Sequence, residues 1–167
     1  MKEILAPFNN DVVNQLEIGD VISISGNVFC GRDMVLPRIC NEIEDGTWKK
    51  RCIDLCGGVI FHTAVSIAGV GPTSSNKLEI ENSFEILSRH GIKLHLGKGS
   101  IHAETVATLD KYNSVYAVIP PVTALLGAHT LEQRLVAFPE LGMEAFYCLK
   151  VDHYPAIIAA AHGRSIY

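Results

Sequence analysis

The chain has 167 residues, of which 48% are hydrophobic and 19% are charged. This composition excludes a disordered chain, and at about 150 residues per domain it predicts one domain, residues 1–167. The net charge of −4 disfavours a general nucleic-acid binder. No apolar run reaches about 18 residues and the N-terminus lacks the apolar core of a secretory signal, so we expect no membrane association and a cytoplasmic protein.

The first third of the chain predicts two strands and one helix. Residues 1–18 are predicted as a lead-in segment that ends in a turn at Gly19. Residues 21–29 alternate with period two, which indicates a strand. Residues 32–45 have helical composition, with Pro37 in the first turn or as a break. Residues 57–61 are short, apolar and led by glycines, which indicates a buried strand.

The clearest helix is predicted over residues 73–90, because Ile80, Phe84 and Leu87 fall on one helical face. Its N-cap candidates are Thr73, Ser74 and Ser75, and its candidate C′ residue is Gly91. Further strands are predicted over residues 92–96, 114–119, 144–151 and 156–160, with helices up to about residue 112 and over residues 123–128. Strands that alternate with helices predict an α/β domain with several parallel strand pairs and a mixed sheet or two sheets.

The five cysteines do not form a recognisable framework. Their odd count and irregular spacing argue against disulfides, and no second pair completes the spacing of a zinc or iron–sulfur site. We therefore expect free thiols, and we expect the ligands of any iron–sulfur cluster to lie on another chain.

Two glycine-containing loops precede predicted helices. The first is residues 69–77, with Thr73, Ser74 and Lys77; the second is residues 97–100, with Lys98. A helix N-terminus offers unpaired N–H groups and partial positive charge, which suit a carboxylate or phosphate. For either loop alone, ordinary capping and tight turns are the more frequent explanation, because Gly, Thr and Ser are common at caps. Neither loop is a Walker A motif or a dinucleotide fingerprint.

Arg32 and Asp33 follow the first predicted strand and form a candidate carboxylate clamp. The alternative is a local ion pair between these two residues. His102 and Glu104 form a His-x-Glu pattern, but the Pro-Cys-x-x-Cys that zinc deaminases also need is absent from the sequence.

The chain resembles the β subunit of two-subunit class I fumarases and L-tartrate dehydratases, and the C-terminal domain of single-chain class I fumarases. The order and spacing of several short stretches carry the resemblance. They are Gly19-Asp20-Val21, Ser25-Gly26 leading to Arg32-Asp33, residues 68–74, Leu96-Gly97-Lys98-Gly99, residues 141–145 and residues 151–156.

The resemblance implies a swivelling β/β/α fold and the reversible addition of water to the double bond of a four-carbon dicarboxylate. It also implies a [4Fe–4S] cluster that is held by a partner α subunit and acts as a Lewis acid through an open iron position. The candidate catalytic residues are Thr73 and Lys98, and the candidate substrate-binding residues are Arg32, Asp33, Ser74, Lys77, Gly97 and Gly99. Fixed cations suit this reaction because negative charge develops in its transition state.

The sequence also departs from the family pattern. Lys77 stands where members carry arginine, Ser74 where they carry threonine, and Leu36 where they carry histidine. Leu36 leaves Thr73 as the proton-transfer candidate of this chain. Pro120-Pro121 replaces a Gly-Gly pair, and Ala64-Val65 replaces a Gly-Pro pair. These departures indicate a divergent member, with a substrate other than fumarate or a reduced activity.

The favoured interpretation is the β subunit of a heteromeric hydro-lyase, active only with its α subunit, with further homo-oligomerisation left open. In that interpretation Thr73, Lys77 and Lys98 converge on one pocket, with Arg32 on its rim. The first alternative is a non-catalytic anion-binding or regulatory subunit on the same scaffold. The second is an unrelated α/β domain that binds a small molecule.

Overall fold

The computed structural model describes residues 1–66, 69–73, 77–120 and 123–167. Within these residues the strands are β1 (Lys2–Ala6), β2 (Val21–Cys30), β3 (Val59–Phe61), β4 (Thr63–Ser66), β5 (Gly69–Thr73), β6 (Leu94–Gly97), β7 (Val115–Val118), β8 (Thr130–Ala137), β9 (Phe146–Ala161) and β10 (Arg164–Ser165). The helices are α1 (Asn10–Asn14), α2 (Leu36–Asp45), α3 (Lys77–Arg89), α4 (Ala103–Lys111) and α5 (Thr123–Ala128), with 3₁₀ helices over Thr47–Arg51 and Pro139–Glu144.

The main sheet is mixed and closes on itself. β1, β2, β3, β6 and β7 pair in that order, and each pair is parallel. The long strand β9 pairs antiparallel with β7 and also with β2, which closes a ring of β2, β3, β6, β7 and β9. β8 and β10 add to β9, and β4 and β5 form a separate two-stranded hairpin. The α/β class with a mixed sheet and parallel pairs is therefore confirmed.

Side chains on the ring strands point alternately to the inside and to the outside of the ring, and each side has its own hydrophobic cluster. Val59, Phe61, Leu94 and Leu96 are fully buried in the largest core cluster, which fills the ring. Ile60, between Val59 and Phe61, belongs instead to a second cluster. Successive residues of a strand point to opposite faces, so both faces of β3 are covered. Burying each large aliphatic side chain contributes roughly 1.5–3 kcal/mol.

The helices cover the outside of the ring on two sides. Ile39 of α2 packs with Trp48 and Phe146 in the second cluster. Phe84 of α3 and Leu109 of α4 pack in a third cluster. None of the described helices combines the length and the apolarity that a membrane crossing requires.

Gly26, in the Ser25-Gly26 stretch, allows β1 and β2 to pack closely in the sheet. Its φ is +103°, and a Cβ at this position would lie 2.3 Å from the carbonyl oxygen of Ala6 on the neighbouring strand. A larger residue would therefore strain the backbone and separate β1 from β2. Residues 1–18, predicted as a lead-in segment, form strand β1 of the sheet and the short helix α1.

The structure corrects the predicted helix start at Thr73. Residues 69–73 form strand β5, and Thr73 pairs with Thr63 of β4, so α3 begins only at Lys77. The cap candidates Ser74 and Ser75 lie outside the described residues. Pro72 has no N–H to donate, and a two-stranded hairpin tolerates it because one edge of each strand is unpaired there.

Candidate functional site

The parallel strands gather the candidate loops at one edge of the ring. The carboxyl ends of β2, β3, β6 and β7 meet there because these strands run in the same direction; we call this the carboxyl edge. Three backbone hydrogen bonds tie successive strand ends together. They run from Gly31 N–H to Phe61 O (3.1 Å), from His62 N–H to Leu96 O (3.0 Å) and from Ile119 N–H to Gly97 O (3.0 Å).

Arg32 and Lys98 both lie on this edge. Arg32 follows β2 and Lys98 follows β6, and only β3 separates these strands. Two interstrand spacings place the backbones of the two residues about 10 Å apart. Two long cationic side chains therefore start from nearby points of the same edge. Their roles at a substrate stay predictions.

Arg32 forms an ion pair that was not predicted. Its Nε lies 2.8 Å from Oε1 of Glu144, and the two side chains are 25% and 22% exposed. Glu144 ends the 3₁₀ helix Pro139–Glu144, far from Arg32 in sequence. Asp33, the predicted companion of Arg32, follows it directly on the same edge. Two of the stretches that carry the family resemblance, the one ending in Arg32-Asp33 and residues 141–145, are therefore neighbours in space.

The Lys98 loop is held by a tyrosine of the next strand. The hydroxyl of Tyr116 donates to the carbonyl oxygen of Gly99 at 3.0 Å. A Cβ at Gly97 would lie 3.1 Å from the same hydroxyl oxygen, so glycine allows the phenol to cross the loop. Gly99 has a φ of +75°, which favours glycine. These contacts give Gly97 and Gly99 a structural role, while the side chain of Lys98 is exposed.

The Lys98 loop does not itself begin the next helix. Five residues, 98–102, lie between β6 and α4, whose N-cap is His102. The backbone N–H and the ring of His102 both contact the carboxylate of Glu81 on α3. The N-terminus of α4 therefore already holds a carboxylate of this chain, which argues against the predicted use of this helix end for an external anion.

The structure describes the backbone of Thr73 and not its side chain. Its partner Thr63 comes two residues after the end of β3, so Thr73 ends β5 beside the carboxyl edge. Lys77 is the first residue of α3. The side chains of Thr73 and Lys77 lie outside the described part of the structure, as does the whole of Ser74. The single pocket formed by Thr73, Lys77 and Lys98 stays a prediction.

Leu36, which stands at the histidine position of the family pattern, is a core residue. It is the first residue of α2, 1% exposed, and packs in the second hydrophobic cluster. The position therefore stabilises the contact of α2 with the ring.

Two buried histidines lie beneath α3. His62 Nε2 is 3.3 Å from His95 Nδ1, and His95 Nε2 is 2.9 Å from the hydroxyl of Ser88. The ring of His95 stacks on Phe84 at a centroid distance of 4.1 Å. Burial lowers the pKa of His62 to about 3, and burial with the neighbouring His62 lowers the pKa of His95 well below its ordinary value. Both rings are therefore uncharged at neutral pH.

The three buried cysteines are poor ligands for an iron–sulfur cluster. Cys30, Cys40 and Cys148 are buried free thiols, and Cys52 and Cys56 are exposed ones. Burial raises the pKa of all three buried thiols, that of Cys40 to about 11, which opposes the thiolate form that binds metal. Among the described residues, no three Cys, His, Asp or Glu side chains are grouped to hold a metal ion.

A cleft of about 540 Å³ lies at the opposite, amino edge of the ring, between the N-terminal segment and the starts of β3 and β6. Its lining includes Pro7, Phe8, Cys56 and Lys93. The ammonium group of Lys93 donates to the carbonyl oxygens of residues 112 and 113 at 3.3 and 3.4 Å. This cleft is poorly suited to a dicarboxylate because Lys93 is the one charged group among its described lining residues, and a dicarboxylate carries two negative charges.

Sequence reasoning missed three residues that shape the candidate site: Glu144, Glu81 and Tyr116. Glu144 lies in residues 141–145, one of the stretches that carry the family resemblance. Tyr116 lies in the strand predicted over residues 114–119. Their partners, however, are set by long-range packing.

The structure is thus an α/β domain with a closed mixed ring of strands, and Arg32 and Lys98 lie at the carboxyl edge of its parallel strands. The family model described as "Fumarase C-terminus" matches residues 3–167. The chain belongs to this family, which confirms the predicted resemblance.

Several relatives agree with this assignment over nearly the whole chain. The L(+)-tartrate dehydratase subunit beta of Escherichia coli K12 is 30% identical over 184 residues, covering 99% of this chain and 87% of that protein. A candidate L(+)-tartrate dehydratase subunit beta of Methanocaldococcus jannaschii is 28% identical, covering 93% and 85%. A candidate class I fumarate hydratase of Geobacillus stearothermophilus is 26% identical, covering 97% of this chain and 32% of that longer protein.

Proposed function

We propose that this chain is the β subunit of a heteromeric hydro-lyase that reversibly adds water to the double bond of a small dicarboxylate, as in fumarate hydration or tartrate dehydration. The observation that carries the proposal is the position of Arg32, Lys98 and the backbone of Thr73 along one carboxyl edge in a member of the fumarase C-terminus family. Ligands of α/β sheets bind outside the carboxyl ends of the strands. The names of the relatives support a lyase subunit and leave the choice between the two substrates open.

In the proposed reaction, this chain supplies fixed positive charge and a hydroxyl group. The guanidinium of Arg32 and the ammonium of Lys98 bind the carboxylates of the substrate. When water adds to one carbon of the double bond, negative charge grows on the carboxylate that is attached to the other carbon, which then takes up a proton. Cations that are already in place stabilise this charge without reorganising. The hydroxyl of Thr73 is the proposed proton-transfer group, and nearby cations would help it by lowering its pKa.

The proposed partner is an α subunit. The relatives that are named "subunit beta" support a heteromer. We place the [4Fe–4S] cluster that the family implies on that partner, because the buried cysteines of this chain are poor ligands.

Coexpression with the α subunit encoded in the same genome tests the proposal. The complex is purified without oxygen and assayed with fumarate and with L-tartrate. We expect turnover of one substrate, and a loss of at least about 100-fold in kcat/KM for Lys98→Ala. Lys111→Ala, which removes a lysine at the far end of α4, is the matched control and is expected to stay within about twofold of the wild-type value.

Two results would contradict the proposal. A complex that assembles, contains its cluster and turns over neither substrate, but binds dicarboxylate, would favour the non-catalytic anion-binding subunit. Equal kinetics for the Lys98→Ala and Lys111→Ala complexes would remove Lys98 from the site.

A further inference from the structure

A carboxylate on α3 holds the first turn of α4. Glu81 accepts a hydrogen bond from the backbone N–H of His102 at 2.6 Å and lies 2.5 Å from Nδ1 of the same residue. The side chain of Thr105 also hydrogen-bonds to Glu81. The first N–H groups of a helix have no partner within the helix, and the helix dipole favours negative charge there. Glu81 therefore places its charge at the start of α4 and anchors the N-cap residue His102 and the first-turn residue Thr105 from a neighbouring helix.

This cap is buried and ionised. The side chain of Glu81 is 8% exposed, although the ring of His102 is largely exposed. Burial raises the pKa of Glu81, but the hydrogen bonds from His102 and Thr105 outweigh it and hold the pKa below its usual value. An ionised carboxylate only accepts hydrogen bonds, so Nδ1 of His102 carries the hydrogen in this contact.

The Lys98 loop is thus fixed at three points. Gly97 pairs with β7 at the start of the loop, and the Tyr116 hydroxyl holds the carbonyl of Gly99. Glu81 holds the end of the loop at His102. Glu81 also lies one helical turn after Lys77, the first residue of α3. One carboxylate therefore joins the segment that begins α3 to the loop that carries Lys98.

We propose that Glu81 is a positioning residue that fixes the Lys98 loop in its substrate-binding conformation. This inference rests on the proposed function, in which Lys98 binds the substrate. Without the carboxylate, the loop keeps the pairing of Gly97 and the Tyr116 contact at Gly99 but loses its hold at His102. The segment between Gly99 and α4 then populates other conformations, and Lys98 populates them with it. Substrate must then select the competent conformation, which weakens apparent affinity by the fraction of molecules that are competent. At saturation the same population is restored, so kcat changes little.

The test compares Glu81→Ala and Glu81→Gln in the complex with the α subunit. We expect Glu81→Ala to raise KM for the dicarboxylate about tenfold while kcat stays within about threefold. Glu81→Gln keeps an oxygen that can accept the His102 N–H, and we expect it to bring KM back to within about threefold of wild type. Glu85→Ala, an exposed change one turn later on α3, is the matched control and is expected to match wild type. Hydrogen exchange of residues 98–106 is expected to be faster only in Glu81→Ala.

The outcomes separate this inference from the proposed function. A Glu81→Ala complex with wild-type KM overturns the inference alone, whatever its loop exchange. A loss of kcat at unchanged KM also overturns it, because that pattern reports fewer folded molecules rather than a misplaced loop. A wild-type complex that turns over no dicarboxylate overturns the proposed function, and the inference falls with it.

Discussion

Mild acid is expected to destabilise the chain through its two buried histidines. Burial lowers the pKa of His62 from 6.5 to about 3, and the pKa of His95 is also well below 6.5. In the unfolded chain both rings titrate near 6.5. Below that pH the unfolded state binds two protons that the folded state does not bind. Stability is therefore lost as the pH falls from about 6.5 toward 3.

The magnitude follows from this difference in proton binding. Each histidine that is charged only in the unfolded state costs about 1.4 kcal/mol per pH unit. Between pH 6.5 and pH 5 this amounts to about 2 kcal/mol for one ring and about 4 kcal/mol for the pair. A domain of this kind has roughly 5–15 kcal/mol of stability, so the loss is a large part of the total. The carboxylates with lowered pKa, such as Glu81, add their own loss only at lower pH.

Urea unfolding of the full chain at pH 7, 6, 5.5 and 5 measures this effect. The informative quantity is the change of unfolding free energy with pH, because it is separate from the cost of the substitution itself. His62→Gln and His95→Gln are each expected to remove about half of the wild-type pH dependence. His90→Gln replaces an exposed histidine just after α3 and is the matched control, with the wild-type pH dependence.

Two results would refute this reasoning. Wild-type stability that is constant between pH 7 and pH 5 would mean that the buried rings accept protons in the folded state. Equal pH dependence in His62→Gln, His95→Gln and wild type would place the effect on other groups.

Three further predictions concern the site and its support. Arg32→Ala is expected to lower kcat/KM of the complex at least about 100-fold, as for a lost charged hydrogen bond. Arg38→Ala, which breaks an exposed ion pair between α2 and Glu140, should leave kcat/KM unchanged. Equal kcat/KM values for the two variants would assign Arg32 to a structural ion pair. Gly97→Ala is expected to destabilise the chain by about 1–3 kcal/mol in urea unfolding because its Cβ would press on Tyr116. The Cβ of Gly127→Ala in α5 meets nothing within 4 Å, so this change should be neutral or stabilising. A larger loss of stability in Gly127→Ala than in Gly97→Ala would contradict the packing of Tyr116 against the Lys98 loop. Iron and sulfide analysis of the chain purified alone without oxygen should find no stoichiometric cluster, and a full cluster would place its ligands here.

Elements with strong local signals were predictable from the sequence. The alternation over residues 21–29 marks β2, and the helix predicted over residues 123–128 matches α5. Local patterns suffice for these elements because their buried face or their boundaries appear in a few neighbouring residues.

Elements without such a pattern were missed. β8 is exposed on both faces over most of its length, so no apolar alternation marks it. β1 buries only Ile4 and Ala6 and depends on its parallel pairing with β2. The sequence predicts a glycine-containing turn over β5 because glycines and Pro72 dominate it, and it makes no prediction for β4. In each case distant partners, rather than local preference, determine the strand.

The two predicted strands at the C-terminus are one continuous strand. Asp152, His153 and Pro155 resemble a turn in sequence, and His153 does adopt a φ of +58°. The pairing with β2 nevertheless continues across them, with an irregularity between Ile24 and Gly26 of the partner. A bulge absorbs the turn-like residues without ending the strand. Nothing in the local sequence distinguishes such a bulge from a turn.

The direction of this one strand also explains the unpredicted partner of Arg32. β9 runs antiparallel to β2, so its first residues, rather than its last, lie at the carboxyl edge, and Tyr147 pairs with Cys30. Glu144, just before β9, is thereby placed beside Arg32. A parallel closing strand would have placed its carboxyl end there instead. The candidate site therefore holds a carboxylate of its own next to its arginine, and a dicarboxylate that binds at this edge must do so against that charge. This raises the importance of Lys98 on the far side of β3, and with it the importance of the contacts that keep its loop in place.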